Sequence, residues 1–277
     1  MDKQQENKGD ERSMTLQMLV STMYQSDYSI LKRMNIQTDA IVVNQCDKNE
    51  TNEFNYSGYK IKWISTTDRG LSKSRNLAIK NATSDIIIFA DDDFVYLEDY
   101  AESIKKAYTK YNADIIVFNA KGNADQNFKF FSEGKLSKRS SLSVNSIRIT
   151  AKRQSLLLHT LAFDEKFGTG AQINHGEDTI FMSDCCRNKL NIFSVQDYLC
   201  YAMSAQRSSS WFNGFTKEYF YNHGMVYRRM SKLAFFYVLY FAIRKYKLYK
   251  KDCSFIKAIR YMLLGIKNLN KEESDNK

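Results

Sequence analysis

Three consecutive carboxylates, Asp91, Asp92 and Asp93, follow directly on an unbroken apolar run from Ile86 to Ala90. A run of this length, rich in β-branched residues, is typical of a strand buried on both faces. Adjacent carboxylates at the end of such a strand repel one another and lose hydration when the site closes, so they need a cation. Oxygen ligands suit Mg²⁺ or Mn²⁺, which usually brings phosphate with it. The alternative interpretation is an acidic turn that caps a helix.

The segments around the triplet alternate between strand and helix patterns, which is typical of a parallel α/β sheet. Ligands of such sheets bind outside the carboxyl ends of the strands, where the triplet lies. We expect Ser72 to cap the helix that precedes the triplet. The patterns predict strands over 16–23, 40–44, 59–64, 86–90, 114–119 and 192–195, helices over 29–34, 72–82, 97–111 and 179–190, loops over 48–58 and 122–139, and mostly helix beyond 211.

Composition limits the class of protein. At 277 residues and 43% hydrophobic content, the chain suits one large domain, or one domain with an extension. The five cysteines are odd in number and lack CxxC spacing, which favours reduced thiols in a cytosolic protein over a disulfide framework. Residues 1–13 lack a signal-peptide pattern and are expected to be disordered. No run reaches the roughly 18 apolar residues of a membrane-spanning helix.

Positive charge is concentrated near the end of the chain. From Met225 to Lys271 there are 12 Lys or Arg residues and a single acid, Asp252. Because aromatic and aliphatic residues lie between these charges, the segment suits an anionic membrane surface. Nucleic acid is a competing partner for such charge, but no recognised binding module is present, so we do not expect it. A solvated helix face is the third interpretation.

Three segments give the triplet a context: DRGLSKSRNLAI at 68–79, IIIFADDD at 86–93 and FGTGAQINHGEDTIF at 167–181. Their order and spacing resemble family 2 glycosyltransferases with the GT-A fold. The segment SSSWFNGFTKEYFYNHGMVYRRM at 208–230 also resembles the end of family 2 enzymes that build bacterial capsule or exopolysaccharide. The resemblance implies a Rossmann-like, mostly parallel sheet flanked by helices. It divides the chain into a disordered terminus (1–13), a GT-A domain (14–224) and a basic, aromatic helical extension (225–277).

The resemblance implies that the triplet is the DxD motif, with Mn²⁺ or Mg²⁺ as cofactor. A metal held there would neutralise the charge that develops on a departing pyrophosphate. Asp93 is assigned as the direct metal ligand, and Asp91 to the metal or the ribose. Arg75 could pair with phosphate or with an acidic residue near the base, and the alternative is a structural salt bridge to the triplet. The residues assigned to donor binding are Ser21, Asn44, Gln45, Asp47, Gly70, Arg75, Asn76, Asp91, Asp92 and Arg207.

Two positions depart from the family pattern. Relatives often end the second strand with two acids, whereas this chain has Asn44 and Gln45, whose amides can still hydrogen-bond a base edge. The nucleobase therefore stays open at this point. Relatives often carry a histidine where Gln206 and Arg207 stand here, and Arg207 could contact the pyrophosphate as a cation.

The Glu177-Asp178 pair matches the Glu-Asp motif of the family and supplies the acceptor side. Asp178 is assigned as the base that deprotonates the acceptor hydroxyl, and Glu177 as a residue that helps to hold the acceptor. The alternative is that both acids only favour the positive N-terminus of the following helix. Trp211 and His175 are placed beside the acceptor, although Trp211 could equally anchor the C-terminal helices.

The resemblance therefore implies an inverting transferase that moves a sugar from a nucleotide donor, expected to be UDP-linked, to a saccharide acceptor. The acceptor is expected to be lipid-linked, and the protein peripheral on the cytoplasmic face of the cell membrane. The alternatives are a different nucleotide such as dTDP, a protein or teichoic-type acceptor, or an inactive basic binding protein on the same fold.

Overall fold

A computed structural model describes residues 14–122, 128–203 and 212–275, and within them ten strands form one sheet. The spatial order is β3-β4-β2-β1-β5-β9-β7-β10-β6, with β8 paired to β10. The strands are β1 (Leu16–Met23), β2 (Asp39–Gln45), β3 (Glu50–Tyr56), β4 (Tyr59–Thr66), β5 (Ile86–Asp91), β6 (Phe94–Tyr96), β7 (Ile115–Lys121), β8 (Gly134–Lys135), β9 (Ile149–Lys152) and β10 (Ile192–Ala202).

Helices cover both faces of this sheet, as the alternating pattern predicts. Helices α1 and α3 pack on one face, and α2, α5 and α6 on the other. The helices are α1 (Ile30–Arg33), α2 (Leu71–Asn81), α3 (Tyr100–Lys110), α4 (Lys138–Ser141), α5 (Arg153–Leu158), α6 (Glu177–Arg187), α7 (Lys217–Met230), α8 (Ala234–Arg244), α9 (Tyr246–Tyr249) and α10 (Phe255–Asp275).

Strand β5 is buried on both faces, which confirms the interpretation of its apolar run. Ile88 packs into the core on the α1/α3 side, and Phe89 packs into the core on the α2/α6 side. Asp91 lies level with Ser21 of the parallel strand β1, so the triplet begins at the carboxyl edge of the sheet. Ligands of α/β sheets bind at this edge.

The sheet is less uniformly parallel than the pattern predicts. β9 lies between β5 and β7 and runs antiparallel to both, whereas β4, β2, β1 and β5 are mutually parallel neighbours. The prediction of a loop over 48–58 is wrong, because Glu50–Tyr56 forms β3 in a hairpin with β4. This edge strand is polar because its residues are exposed or only partly buried. Strand β6 was not predicted, and β10 extends well beyond 195.

The start of α2 also differs from the prediction. Gly70, not Ser72, is the N-cap residue, and the Ser72 hydroxyl instead donates a hydrogen bond of 2.6 Å to the carbonyl of Phe167. The backbone N–H of Leu71 donates to the carbonyl of Thr169 at 2.9 Å. The N-terminus of α2 is therefore fastened to the 167–173 loop, which leads towards Glu177.

Beyond residue 211 the described chain is mostly helical, which confirms that prediction. The predicted boundary at 224 lies inside α7, and the helical region shares a core with the sheet domain: Phe167, Ile173 and Ile180 pack with Val226 and with Leu269 of α10. Across the described residues, no helix has both the length and the apolar content to cross a bilayer. The predicted disordered segment 1–13 lies outside the described residues.

Helices α7 and α10 cross at two glycines. A Cβ added to Gly224 would overlap the backbone carbonyl of Met262, and one added to Gly265 would overlap that of Tyr221. Neither backbone can retreat without separating the helices, because Met262 and Phe220 are themselves fully buried in the core between them. The close crossing of the two helices therefore requires glycine at both positions.

We expect Gly224→Ala to lower the free energy of unfolding by about 1–3 kcal/mol through overpacking. At an uncrowded helix position the same change would stabilise by about 1 kcal/mol, so the sign of the effect tests the close approach. Urea denaturation of the full chain measures it. Lys267→Ala, at an exposed position of α10, is the matched control and should stay within about 0.5 kcal/mol of the parent. An unchanged or higher midpoint for Gly224→Ala would contradict the described crossing.

Candidate active site

The guanidinium of Arg75 joins the two groups of acids that the sequence singles out. Arg75 is only 2% exposed, on α2 beneath the carboxyl edge of the sheet. Its Nη2 donates to Asp91 Oδ1 at 3.0 Å, and its Nη1 donates to Asp178 Oδ1 at 3.0 Å. Glu177 Oε1 lies 3.7 Å from Nη1. The end of β5 and the start of α6 therefore meet at one buried cation.

Burial and charge act in opposite directions on Arg75. Burial disfavours the charged guanidinium, but the carboxylates of Asp91, Asp178 and Glu177 more than offset this, so the pKa of Arg75 lies above its ordinary value. The flat guanidinium also lies over the ring of Phe163, 5.1 Å from the centroid. Arg75 is thus a permanent positive charge, and the structural salt bridge considered as the alternative is present.

The acidic pair opens α6. Gly176 is the N-cap residue with φ of +97°, and a Cβ there would overlap the side chain of Val226 on α7. Asp178 Oδ2 accepts a hydrogen bond of 3.1 Å from the backbone N–H of Ser146. Both oxygens of Asp178 are therefore held, one by Arg75 and one by Ser146.

The protonation of the pair is shifted by its surroundings. Burial, followed by the neighbouring Asp178 carboxylate, raises the pKa of Glu177 to about 7. Burial also raises the pKa of Asp178, although the charge of Arg75 works against the shift. Carboxyl groups with raised pKa values are better proton acceptors than ordinary surface acids.

The triplet ends β5 at Asp91 and forms the turn to β6 with Asp92 and Asp93. Asp92 accepts a hydrogen bond of 2.7 Å from the Thr22 hydroxyl, and the backbone carbonyl of Asp93 accepts one of 2.9 Å from the N–H of Met203. Thr22 was not predicted, because a residue 70 positions away along the chain gives no spacing signal. Together with the Asp91 ion pair, these contacts fix the backbone and two of the three carboxylates.

The triplet can supply only some of the ligands that a hard cation needs. Within the described ranges, no group of three or more His, Cys, Asp or Glu side chains is arranged to hold a metal ion. The carboxylates of Asp91 and Asp93 supply oxygen ligands of the type that Mg²⁺ and Mn²⁺ prefer. These residues fit a cation that completes its coordination with phosphate oxygens and water, which is the usual arrangement for Mg²⁺.

The three predicted donor residues of β1 and β2 lie at the same edge, and all three already have hydrogen-bond partners in the protein. Ser21 Oγ accepts from Ser74 Oγ at 2.9 Å. The amide of Asn44 bonds both the N–H and the carbonyl of Gln25, at 3.0 and 2.9 Å. Gln45 Oε1 accepts from the backbone N–H of Gly70 at 2.7 Å.

Two further predicted residues differ in exposure. Asp47 accepts from Arg69 Nη2 at 2.7 Å in a solvent-exposed ion pair that a ligand can reach. The amide of Asn76 is committed to the protein: its Nδ2 donates to the Phe163 carbonyl at 2.9 Å and to Glu165 Oε1 at 3.0 Å, and its Oδ1 accepts from the Phe163 N–H at 2.8 Å. Asn76 thereby fixes the ring on which Arg75 lies.

His175 contacts a second histidine, His223, which no sequence pattern pairs with it. Its Nε2 lies 2.9 Å from Nδ1 of His223 on α7, and burial lowers the pKa of His175 to about 4 and that of His223 to about 3. Both imidazoles are therefore neutral at pH 7, and they connect the loop before Glu177 to the helical extension. The predicted Arg207 and Trp211 lie outside the described residues.

Comparisons with known proteins agree on one family. The family model for "Glycosyl transferase family 2" matches residues 28–172, just over half of the chain, and ends shortly before Glu177. A 67-residue segment is 34% identical to the glycosyltransferase GlyA of Streptococcus pneumoniae serotype 4 (strain ATCC BAA-334 / TIGR4). That segment is 24% of this chain and spans only 10% of GlyA.

Solved structures share the architecture at low sequence identity. The structure of S. aureus TarS 1–349 in complex with UDP-GlcNAc superposes with a TM-score of 0.63 at 14% identity, covering 86% of this chain and 74% of that one. A structure of S. aureus TarS in which this chain covers 39% of the length gives a TM-score of 0.57 at 14% identity. The α/β sheet with its C-terminal helices is thus the GT-A fold. With the family model covering more than half of its length, the chain belongs to glycosyl transferase family 2.

Proposed function

We propose that this protein transfers a sugar from a nucleotide-sugar donor to a saccharide hydroxyl, with inversion at the anomeric carbon. One observation carries the proposal: Arg75 bonds both Asp91, at the end of β5, and Asp178, at the start of α6. A donor diphosphate at the triplet and an acceptor hydroxyl at Asp178 would then lie on either side of the Arg75 guanidinium. The UDP-GlcNAc in the TarS structure favours a UDP-linked donor.

On the donor side, Asp93 and Asp91 would hold Mn²⁺ or Mg²⁺. When bound, the metal would neutralise the charge that develops on the departing diphosphate. The protein itself orients these carboxylates: Arg75 holds Asp91, Thr22 holds Asp92, and the hydrogen bond from Met203 fixes the backbone of Asp93. Such preorganisation avoids reorganisation when the sugar leaves.

On the acceptor side, Asp178 would take the proton of the attacking hydroxyl. The hydroxyl oxygen bonds to the anomeric carbon as the bond to the diphosphate oxygen breaks, and the proton passes to a carboxylate oxygen. Each carboxylate oxygen has two lone pairs, so Asp178 keeps acceptor capacity beyond its bonds to Arg75 and Ser146. Those two bonds fix its orientation, while burial keeps it basic. Glu177, beside it, would help to hold the acceptor.

The proposed acceptor is a lipid-linked saccharide used in cell-surface polysaccharide synthesis. The basic helical extension supports this choice, because it suits a position at the cytoplasmic face of an anionic membrane. The shared core of the extension and the sheet domain would hold the site near that surface.

We expect Asp93→Ala to abolish stabilisation by donor and metal. In the parent protein, UDP-GlcNAc with Mn²⁺ at about 100 times the dissociation constant should raise the free energy of unfolding by about 2.7 kcal/mol, and EDTA should remove this gain. Thermal-shift assays across UDP-, dTDP- and GDP-sugars measure it. Asp197→Ala, at an exposed position of β10, is the control and should behave like the parent. Equal stabilisation of Asp93→Ala would refute the metal assignment.

Asp178→Asn should separate binding from transfer. The amide keeps the shape of the side chain but cannot take the proton, so we expect kcat to fall about 10²–10⁴-fold. Donor affinity, measured by titration calorimetry with UDP-GlcNAc and Mn²⁺, should stay within a fewfold of the parent. Asp197→Asn provides the matched control. Turnover by Asp178→Asn within tenfold of the parent would remove it as the base.

The raised pKa of Glu177 predicts how stability changes with pH. Between the ordinary value near 4.5 and the folded value of about 7, the folded state binds more protons than the unfolded state. The contribution of protonated Glu177 to the free energy of unfolding is complete below pH 4.5. It is lost as pH rises through about 7, which lowers the free energy of unfolding by roughly 1–3 kcal/mol. Urea denaturation at pH 5 and pH 8 should show this loss in the parent and a smaller one in Glu177→Gln. Identical pH profiles would contradict the shift.

A further inference from the structure

Helix α8 turns an apolar stripe towards solvent. We call Leu233, Phe236, Tyr240 and Ile243 the α8 face; they recur at helical spacing, and Leu233, Phe236 and Ile243 are 64%, 64% and 68% exposed. Tyr240 bonds Arg139 of α4 through its hydroxyl and is still about half exposed. Large apolar residues clustered in this way on a surface mark an interaction site, whereas single exposed ones do not.

The opposite side of α8 is already occupied, so the exposed stripe is not an unpacked core. Val238 and Ala242 are fully buried in the helical core, and Phe241 packs beside Phe220 of α7. The helix is therefore apolar on both sides, which is unusual for a surface helix.

Basic residues surround the α8 face. Lys232 precedes it, Arg244, Lys245 and Lys247 follow it, and all four are exposed. Between Met225 and Lys271 the sequence holds 12 basic residues against a single acid. An apolar centre with a positive rim matches the layer in which anionic headgroups meet acyl chains.

We propose that the α8 face docks in the plane of an anionic membrane, with its apolar side chains among the acyl chains and its basic rim among the headgroups. The inference rests on the proposed function in one respect: it names the partner that would bring a lipid-linked acceptor to the site. The 11 residues of α8 extend about 16 Å, which suits a helix lying along the interface rather than across it.

Charge argues against a second copy of the chain as the occupant. Two copies joined through this face would bring the rim of Lys232, Arg244, Lys245 and Lys247 against itself, and like charges brought together across an interface are unfavourable. Anionic lipid instead gains from every basic residue near the surface, by about fivefold in affinity for each one.

Docking through α8 would also set the position of the active site. Phe241 of α8 lies 5.1 Å from His223 between ring centroids, and His223 bonds His175 in the loop before Gly176. Val226, on the same helix as His223, packs against Gly176. The membrane face and the Glu177-Asp178 pair are thus connected through α7 by direct contacts.

Vesicle flotation of the full chain tests the proposal. We expect binding to vesicles of phosphatidylcholine with about 30 mol % phosphatidylglycerol, and at least tenfold weaker binding to phosphatidylcholine alone. The double variant Phe236→Asp/Ile243→Asp should bind the anionic vesicles at least tenfold more weakly. Leu158→Asp, which changes a 70% exposed leucine on α5, is the matched control and should bind like the parent.

A charge series tests the rim separately. Lys245→Glu/Lys247→Glu should weaken binding to the anionic vesicles at least tenfold. The control is Lys105→Glu/Lys106→Glu, the same change at exposed positions of α3, and it should weaken binding by less than about twofold. Raised salt should weaken vesicle binding by the parent protein, and it should abolish the difference in binding between the two double-lysine variants.

Three results would overturn the proposal: equal binding to neutral and anionic vesicles, equal loss in Leu158→Asp and in the α8 double variant, or a dimer in solution that the double variant converts to monomer while vesicle binding is unchanged. Thermal stabilisation by UDP-GlcNAc and Mn²⁺ is measured in parallel on every variant. If the parent protein fails to float with anionic vesicles but keeps donor stabilisation, the docking face alone is rejected. If the parent floats but shows no donor stabilisation, the proposed function alone is rejected.

Discussion

The ion pairs of Arg75 are the interaction on which the rest of the site depends. A buried guanidinium is tolerated because three carboxylates surround it, and those carboxylates are tolerated at close range because the guanidinium lies between them. Removing one partner of such a group leaves uncompensated buried charge, which typically costs about 3–5 kcal/mol. Phe163 and Asn76 complete the support, since one carries the guanidinium and the other fixes that ring. The stability of the fold and the geometry of the candidate site therefore depend on the same contacts.

The helical extension supports the other half of the site. Arg229 of α7 bonds Asp164, in the segment that carries Phe163, at 2.6 Å, and Asp184 of α6 at 3.1 Å. Val226 fills the space that a side chain at Gly176 would need. The loop before α6 is thus enclosed by the sheet domain on one side and by α7 on the other. A division of the chain at residue 224 describes its composition, but it does not describe its packing.

The sequence patterns correctly predict those elements in which the order of apolar and polar residues matches the burial of the residues. The run Ile86 to Ala90 is apolar because both faces of β5 are covered, so its sequence alone identified a buried strand and the acids at its end. Strand β3 was missed because an edge strand with a half-exposed face has the composition of a loop. Partners such as Thr22 and Ser146 were missed because contacts between distant residues leave no spacing signal. A salt bridge from Arg75 to the triplet is one of the sequence-based alternatives, but no local pattern indicates that Arg75 also bonds Asp178.

The core that α10 shares with the sheet domain affects the order in which parts of the protein can fold during synthesis. Phe167, Ile173 and Ile180 flank the Glu177-Asp178 pair, and they pack against Leu269 of α10, which is synthesised much later. While the ribosome is still translating α7 to α9, the sheet can form, but the loop of the acidic pair lacks its last packing partner. The nascent chain would therefore complete this candidate site only after α10 has left the exit tunnel.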